Sequence, residues 1–173
     1  IEPKIRYIDL FCGIGGFRIA AEQIFNKYNI QSECVFSCDI DKDAQKSYFA
    51  NFKDRPMGDI TKIKTCDILD HDLLFAGFPC QPFSIIGSGK GFDDTRGTLF
   101  FEIARILKDK KPKAFVLENV KQLVGHKNGS TLKKIIQTLT DLGYWVDYKV
   151  LNALDYGLPQ KRERVFIVGF HKP

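Results

Sequence analysis

Cys80 lies between two prolines in Gly77-Phe78-Pro79-Cys80-Gln81-Pro82. Proline fixes φ, so this thiol sits on a stiffened backbone just past a short apolar run at residues 73–76. A thiolate is a strong nucleophile at modest basicity. A thiol kept for packing would more naturally lie inside the run, although a lone cysteine is more often structural than catalytic. Glu118, in Leu117-Glu118-Asn119-Val120, follows a second apolar run. A carboxylate there is costly unless paired or used; its ordinary reading is a cap or turn residue. Arg162 and Arg164, in Gln160-Lys161-Arg162-Glu163-Arg164, lead into the last apolar run. Such a charge run is usually a solvated face. A thiol, an acid and two guanidinium groups brought to one edge would make a constellation for nucleophilic attack with charge stabilisation.

A second group of residues fits a nucleotide. Cys12-Gly13-Ile14-Gly15-Gly16 follows the first apolar run, where glycines let the backbone approach a ligand and turn into a helix. Asp39 follows the next run and can accept from both hydroxyls of a ribose. Asp59, in Gly58-Asp59-Ile60, can receive an adenine amino group. Each aspartate also reads as a plain cap or turn residue. Together they indicate an adenosine-containing cofactor. The dinucleotide fingerprint needs a third glycine where Arg18 stands, which weighs against a nicotinamide dinucleotide.

The elements that must position these groups alternate along the chain. Strand-like runs are expected at residues 7–11, 33–38, 56–58, 73–76, 114–117, 145–151 and 164–170. Phe17, Ala20, Ala21, Ile24, Phe25 and Tyr28 recur at helical spacing as one apolar stripe. Asp41 can cap a helix carrying Ala44, Tyr48 and Phe52. Leu99, Ile103, Ile106 and Leu107 mark another, as do Leu132, Ile135, Ile136 and Leu139, which Gly143 can terminate. Alternating strands and helices imply a mostly parallel sheet covered on both faces. No helix fits between the last two strands, so they form an antiparallel pair. Ligands of such sheets bind beyond the carboxyl ends of the strands, where Cys80, Glu118, Asp39 and the glycine cluster all fall. The segment from Ser84 to Gly97 contains four glycines and few apolar anchors, the composition of a lid. Its Lys90 and Arg96 could meet phosphates.

The 173 residues, 44% hydrophobic and 27% charged, make one globular domain, 1–173. No apolar run is long enough to span a membrane. A net charge of +5 is compatible with a polyanionic partner without demanding one. Five cysteines with no CxxC pair argue against a disulfide framework or structural zinc, and fit reduced thiols of a cytoplasmic protein.

These stretches resemble the DNA (cytosine-5) methyltransferases. The resemblance rests on Asp9 to Arg18, Gly77 to Ser84, Arg96-Gly97-Thr98-Leu99-Phe100, Glu118-Asn119-Val120 and Gln160 to Arg164, in that order over nearly the whole chain. It implies an α/β, three-layer Rossmann-like methyltransferase fold with a mostly parallel seven-stranded sheet whose last strand is antiparallel. It implies S-adenosylmethionine as cofactor, S-adenosylhomocysteine as product, and no metal. Phe11, Gly13, Gly15, Gly16, Asp39, Ile40, Asp59, Ile60, Pro79 and Leu99 would form the cofactor site. Ile40 departs from the family, which often has an aromatic residue stacked on adenine there.

By the same resemblance Cys80 adds to C6 of a flipped-out cytosine, Glu118 holds its N3 edge, and Arg164 with Arg162 orients the base. Gln81, Ser84, Lys90, Arg96 and Asn119 would contact double-stranded DNA. The expected setting is a restriction-modification system, in the cytoplasm and associated with the nucleoid if bacterial. The family's target-recognition region and C-terminal closing segment are not among these residues. A fragment, one half of a split enzyme or a truncated remnant is therefore expected, with little methylation by this chain alone. The rivals are an RNA cytosine-5 methyltransferase, a nicotinamide-dependent redox domain with a reactive thiol, and a non-catalytic nucleic-acid-binding remnant.

Overall fold

The structure, a computed structural model, describes residues 4–79 and 99–173. Six strands make one sheet: β1 (Ile5–Leu10), β2 (Ser32–Cys38), β3 (Leu73–Gly77), β4 (Ala114–Val120), β5 (Tyr144–Asn152) and β6 (Glu163–His171). Their order is β2-β1-β3-β4-β6-β5. The first four are parallel, and β6 runs antiparallel to both β4 and β5. The antiparallel last strand expected from the missing helix is therefore present, inserted between β4 and β5.

The expected strand at residues 56–58 is reduced to a single parallel bridge, Met57 beside Cys38. Pro56 has no N–H for a ladder. Asp59 then turns the chain by capping a 3-10 turn, Ile60–Lys62, through Thr61 N–H at 3.0 Å. Among the described residues, six strands and one bridge thus stand where seven strands were expected, within the same fold class.

One face of the sheet alternates into a continuous core. Ile8, Leu10, Leu74, Ala76, Phe115, Leu117, Val165 and Ile167 pack on α3 (Leu99–Lys110), α4 (Gln122–Gly125) and α5 (Ser130–Asp141). Gly143, at φ 94°, ends α5 in the left-handed conformation glycine allows. The other face carries α1 (Gly16–Lys27) over Tyr7 and Phe75. Only Ala21 and Phe25 of that helix are buried, while Ile24 and Tyr28 face outward, so the apolar stripe is narrower than its spacing predicts. Helix α2 (Lys42–Phe52) starts at Asp41, whose Oδ1 accepts from the N–H groups of Asp43 (2.8 Å) and Ala44 (3.0 Å).

The register defines one functional edge. Leu10 pairs with Cys38 and Ala76, Gly77 with Glu118, Glu118 with Phe166, and Val120 with Arg164. From β1 the chain moves outward to β2 and then returns to β3 on the other side. The loops after β1 and β3 therefore diverge, which opens a crevice at this topological switch point.

Candidate active site

The loop after β1 forms the floor of the crevice. Phe11 and Gly13 have φ of 54° and 53°, and Gly15, buried, has φ 97°. A Cβ on Gly15 would overlap Phe52 Cε2 and lie 2.7 Å from Phe52 Cζ, so α2 can close on the loop only where residue 15 lacks a side chain. Asp39 ties the loop to the end of β2. Its Oδ2 accepts from Gly13 N–H at 2.7 Å and its Oδ1 from Asp41 N–H at 2.9 Å. A carboxylate oxygen has two lone pairs, so each of these oxygens keeps one for a further donor.

A cavity of about 280 Å³ lies beyond this floor. Phe11, Asp39, Ile40, Asp59, Ile60, Pro79 and Leu99, all expected at the cofactor, line it. Cys38, Gly58 and Gly77 also line it and were not singled out from the sequence, although Cys38 and Gly58 directly precede the two aspartates. Arg105 of α3 anchors the Asp59 wall, donating to Thr65 Oγ1 (2.7 Å) and to the carbonyl of Ile63 (3.0 Å). Bonds from the Thr61 hydroxyl and N–H hold the Asp59 carboxyl below the usual carboxylate range.

A second cavity, of about 460 Å³, shares Phe11 and Gly77 with the first. Glu118, Arg162 and Arg164 line it beside Phe166, Phe17, Ala20, Cys12 and Gly16. Arg164 Nε lies 2.9 Å from Glu118 Oε1, each side chain 24% exposed. Glu118 Oε2 would lie 3.3 Å from a Cβ at position 77, so Gly77 leaves the room in which this carboxylate rests. Phe166 could not be found from the sequence, because its place beside Glu118 depends on the β4–β6 register.

The structure therefore brings Glu118, Arg162 and Arg164 together, with the glycine loop and the two aspartates adjacent. Gly13 and Gly15 shape the loop but line neither cavity. Asn119, expected among the DNA contacts, is 2% exposed. Its Nδ2 donates to the carbonyl of Phe78 at 3.0 Å and its Oδ1 accepts from Val120 N–H, so it fastens the turn leading to Pro79. Cys80, Gln81, Ser84, Lys90 and Arg96 lie outside the described residues. No described helix is long and apolar enough to cross a membrane.

The model of the C-5 cytosine-specific DNA methylase family matches residues 5–173. The chain is 60% identical to the Type II methyltransferase M.NgoBI of Neisseria gonorrhoeae, over 94% of this chain and 50% of that protein. It is 61% identical to M.HaeII of Haemophilus aegyptius, over 96% and 51%, and 54% identical to M.HhaI of Haemophilus parahaemolyticus, over 96% and 49%. The chain thus spans about half the length of the curated relatives it matches. Among solved structures, the Entamoeba histolytica methyltransferase EhMeth superposes with a TM-score of 0.77 at 26% identity, over 99% of this chain and 54% of that one. The S. pombe Dnmt2 methyltransferase, at 22% identity and a TM-score of 0.73 over 98% of this chain and 50% of that one, shares the fold.

Proposed function

Because the chain belongs to the C-5 cytosine-specific DNA methylase family, we propose that it is the cofactor-binding and catalytic half of a DNA (cytosine-5) methyltransferase of a restriction-modification system. The observation that carries this reading is the junction of two cavities at Phe11 and Gly77, one walled by Asp39 and Asp59, the other by the Glu118–Arg164 pair. An adenosine fits the first. Asp39 keeps lone pairs for ribose hydroxyls, Asp59 faces an amino group, and Phe11, Ile40 and Ile60 offer apolar walls to the ring. Bound there, S-adenosylmethionine would supply an electrophilic methyl group at the junction, and S-adenosylhomocysteine would remain as product.

The chain's own groups prepare the base. A target cytosine must leave the duplex, at about a few kcal/mol for unstacking. The Cys80 thiolate forms a bond to C6, which makes C5 nucleophilic. Glu118 shares a proton with N3 and accepts from the exocyclic amine, so the ring can take up charge as sulfur adds. Arg164, 2.9 Å from Glu118, orients that carboxyl and offsets the charge, with Arg162 beside it. After methyl transfer the C5 proton leaves and the thiolate is expelled. Gln81, Ser84, Lys90 and Arg96 would meet the DNA, and Asn119 holds the turn before Cys80.

Target recognition would come from a further region of the chain or a second chain. An apolar strip with an exposed end supports this. Val116, Val168, Phe170 and Trp145 adjoin across β4, β6 and β5 on the α1 face. Phe170 and Trp145 are 61% and 59% exposed. The complete enzyme would work in the cytoplasm, on the nucleoid of a bacterial host.

The test is methyl transfer from S-adenosylmethionine to duplex DNA and to structured RNA, by this chain with its complementary half. Transfer to DNA, lost in Cys80→Ala, is expected, with little or none by the chain alone. Transfer confined to RNA would favour the RNA enzyme, and undiminished transfer by Cys80→Ala would refute the mechanism.

A further inference from the structure

Asp9 is a carboxyl with no assigned role and an unusual position. It is the fifth residue of β1, on the face that α1 covers, between Ser37 of β2 and Phe75 of β3. It has no exposed surface, and neither carboxyl oxygen has a hydrogen-bond partner among the described residues. The nearby cation is already committed. Arg18 Nε is 2.9 Å from Glu22, its Nη1 is 2.9 Å from Asp54 and 3.2 Å from Tyr48 Oη, and its guanidinium lies 4.5 Å from the Phe52 ring centre. One cation facing Glu22 and Asp54 leaves Asp9 without a counter-charge of its own among the described residues.

The other described titratable groups around Asp9 offer none. Asp39, at the end of β2, repels it. Cys34 of β2, pushed up to about 11, and Cys38, pushed up to about 12, are neutral thiols. Burial raises Cys12 and Tyr48 as well. Burial, opposed in part by Arg18, lifts Asp9 itself to about 8. Asp9 nevertheless stands beside the cofactor site: Phe11, two residues further on, lines the first cavity, and Ser37, its partner on β2, directly precedes Cys38. Cys38 and Asp39 wall the first cavity and Cys12 the second.

We propose that Asp9 is the charge sensor of the cofactor site. It holds its proton while the site is empty or holds the uncharged thioether product, and it releases that proton when a sulfonium cofactor binds. This rests on the cofactor reading above. A cation in a low-dielectric pocket stabilises a nearby carboxylate. By linkage, whatever prefers the ionised form expels the proton, and the ionised form holds that ligand more tightly. Loss of the methyl group removes the positive charge on sulfur, Asp9 recovers a proton from solvent, and the attraction ends. Asp9 lines neither cavity. It is a specificity-determining residue that favours cofactor over product.

The experiment is calorimetric titration of the complete enzyme with S-adenosylmethionine and, separately, S-adenosylhomocysteine at pH 7, in buffers of different ionisation enthalpy. With Asp9 at about 8, roughly nine in ten molecules carry the proton at this pH. The wild type is expected to release close to one proton more with the sulfonium than with the thioether. In Asp9→Asn that difference disappears and the cofactor-to-product affinity ratio falls about tenfold. The ligands' own amines titrate in both proteins and cancel in the comparison. Infrared difference spectra of the wild type give a second reading that needs no variant: the protonated carboxyl band is lost on adding the cofactor and kept with the product. Equal proton release in both proteins, or an unchanged band, would overturn the role of Asp9 alone. Failure of the wild type to bind either ligand would instead remove the cofactor reading, and the charge sensor with it.

Discussion

Substituting Gly13, Gly15 and Gly16 by alanine separates two costs in the cofactor loop. Gly15→Ala bears both. Its φ of 97° lies where an L-residue is strained, at about 1–2 kcal/mol. Its Cβ overlaps the Phe52 ring, and overpacking of this kind costs about 1–3 kcal/mol. The sum, about 2–5 kcal/mol, is a large part of the about 5–15 kcal/mol that stabilises a typical domain. Gly13→Ala bears only the first cost, since its φ is 53° and nothing lies within 4 Å of the added carbon. Gly16→Ala bears neither. It opens α1 with free space around it, and alanine favours a helix over glycine by up to about 1 kcal/mol. Urea unfolding followed by circular dichroism should rank stability as Gly15→Ala below Gly13→Ala below Gly16→Ala, the last at or above wild type. Adding Phe52→Leu to Gly15→Ala should recover the overlap and leave the strain, a coupling of about 1–2 kcal/mol. Equal losses in Gly13→Ala and Gly15→Ala, or no recovery with Phe52→Leu, would refute the division.

Three other outcomes are expected. Asp39→Ala leaves the Gly13 and Asp41 N–H groups without their acceptor. Charged hydrogen bonds contribute about 1.5–3 kcal/mol each, so S-adenosylhomocysteine affinity should fall at least tenfold by calorimetry. His71 is buried, and burial lowers its pKa. The unfolded chain then binds the proton more readily below about pH 6.5, so stability is retained above that pH and falls as pH drops through it. Urea midpoints from pH 7.5 to 5 should show this acid loss, and His71→Gln should lessen it. Gly169→Ala places a carbon against the Phe115 ring inside the core. A loss of about 1–3 kcal/mol in urea unfolding is expected.

Much of the fold was legible because its signals are local. The glycine cluster after an apolar run, Asp41 before a helix and Gly143 after one each depend on a few neighbouring residues. The direction of β6 followed from a loop too short for a helix. The residues that line the first cavity came from resemblance; spacing alone left Asp39 and Asp59 open as caps, and the structure shows Asp59 capping a turn. Other features depend on partners far along the chain. Met57 forms a single bridge because Pro56 cannot extend the ladder. Ile24 and Tyr28 satisfy helical spacing yet face outward, since only Ala21 and Phe25 meet the sheet. Asn119 resembles a substrate contact in its motif, but its amide is turned inward onto Phe78. Asp9 carries the same signal as Glu118, a carboxylate in an apolar run. Its isolation becomes visible only once Arg18 is seen bound to Glu22 and Asp54.

The insertion of β6 between β4 and β5 also sets an order of assembly. Strand β5 precedes β6 in the chain but meets the sheet only through it. On a ribosome, β1 to β4 can pair while the later residues are still being made. The edge of β4 then stays open, and Glu118 lacks Arg164, until the chain has reached residue 164. Such long-range closure slows folding. The pair placed at the second cavity therefore forms only after β6 has been made, and any nascent chain released before β6 carries an exposed strand edge and a Glu118 without Arg164.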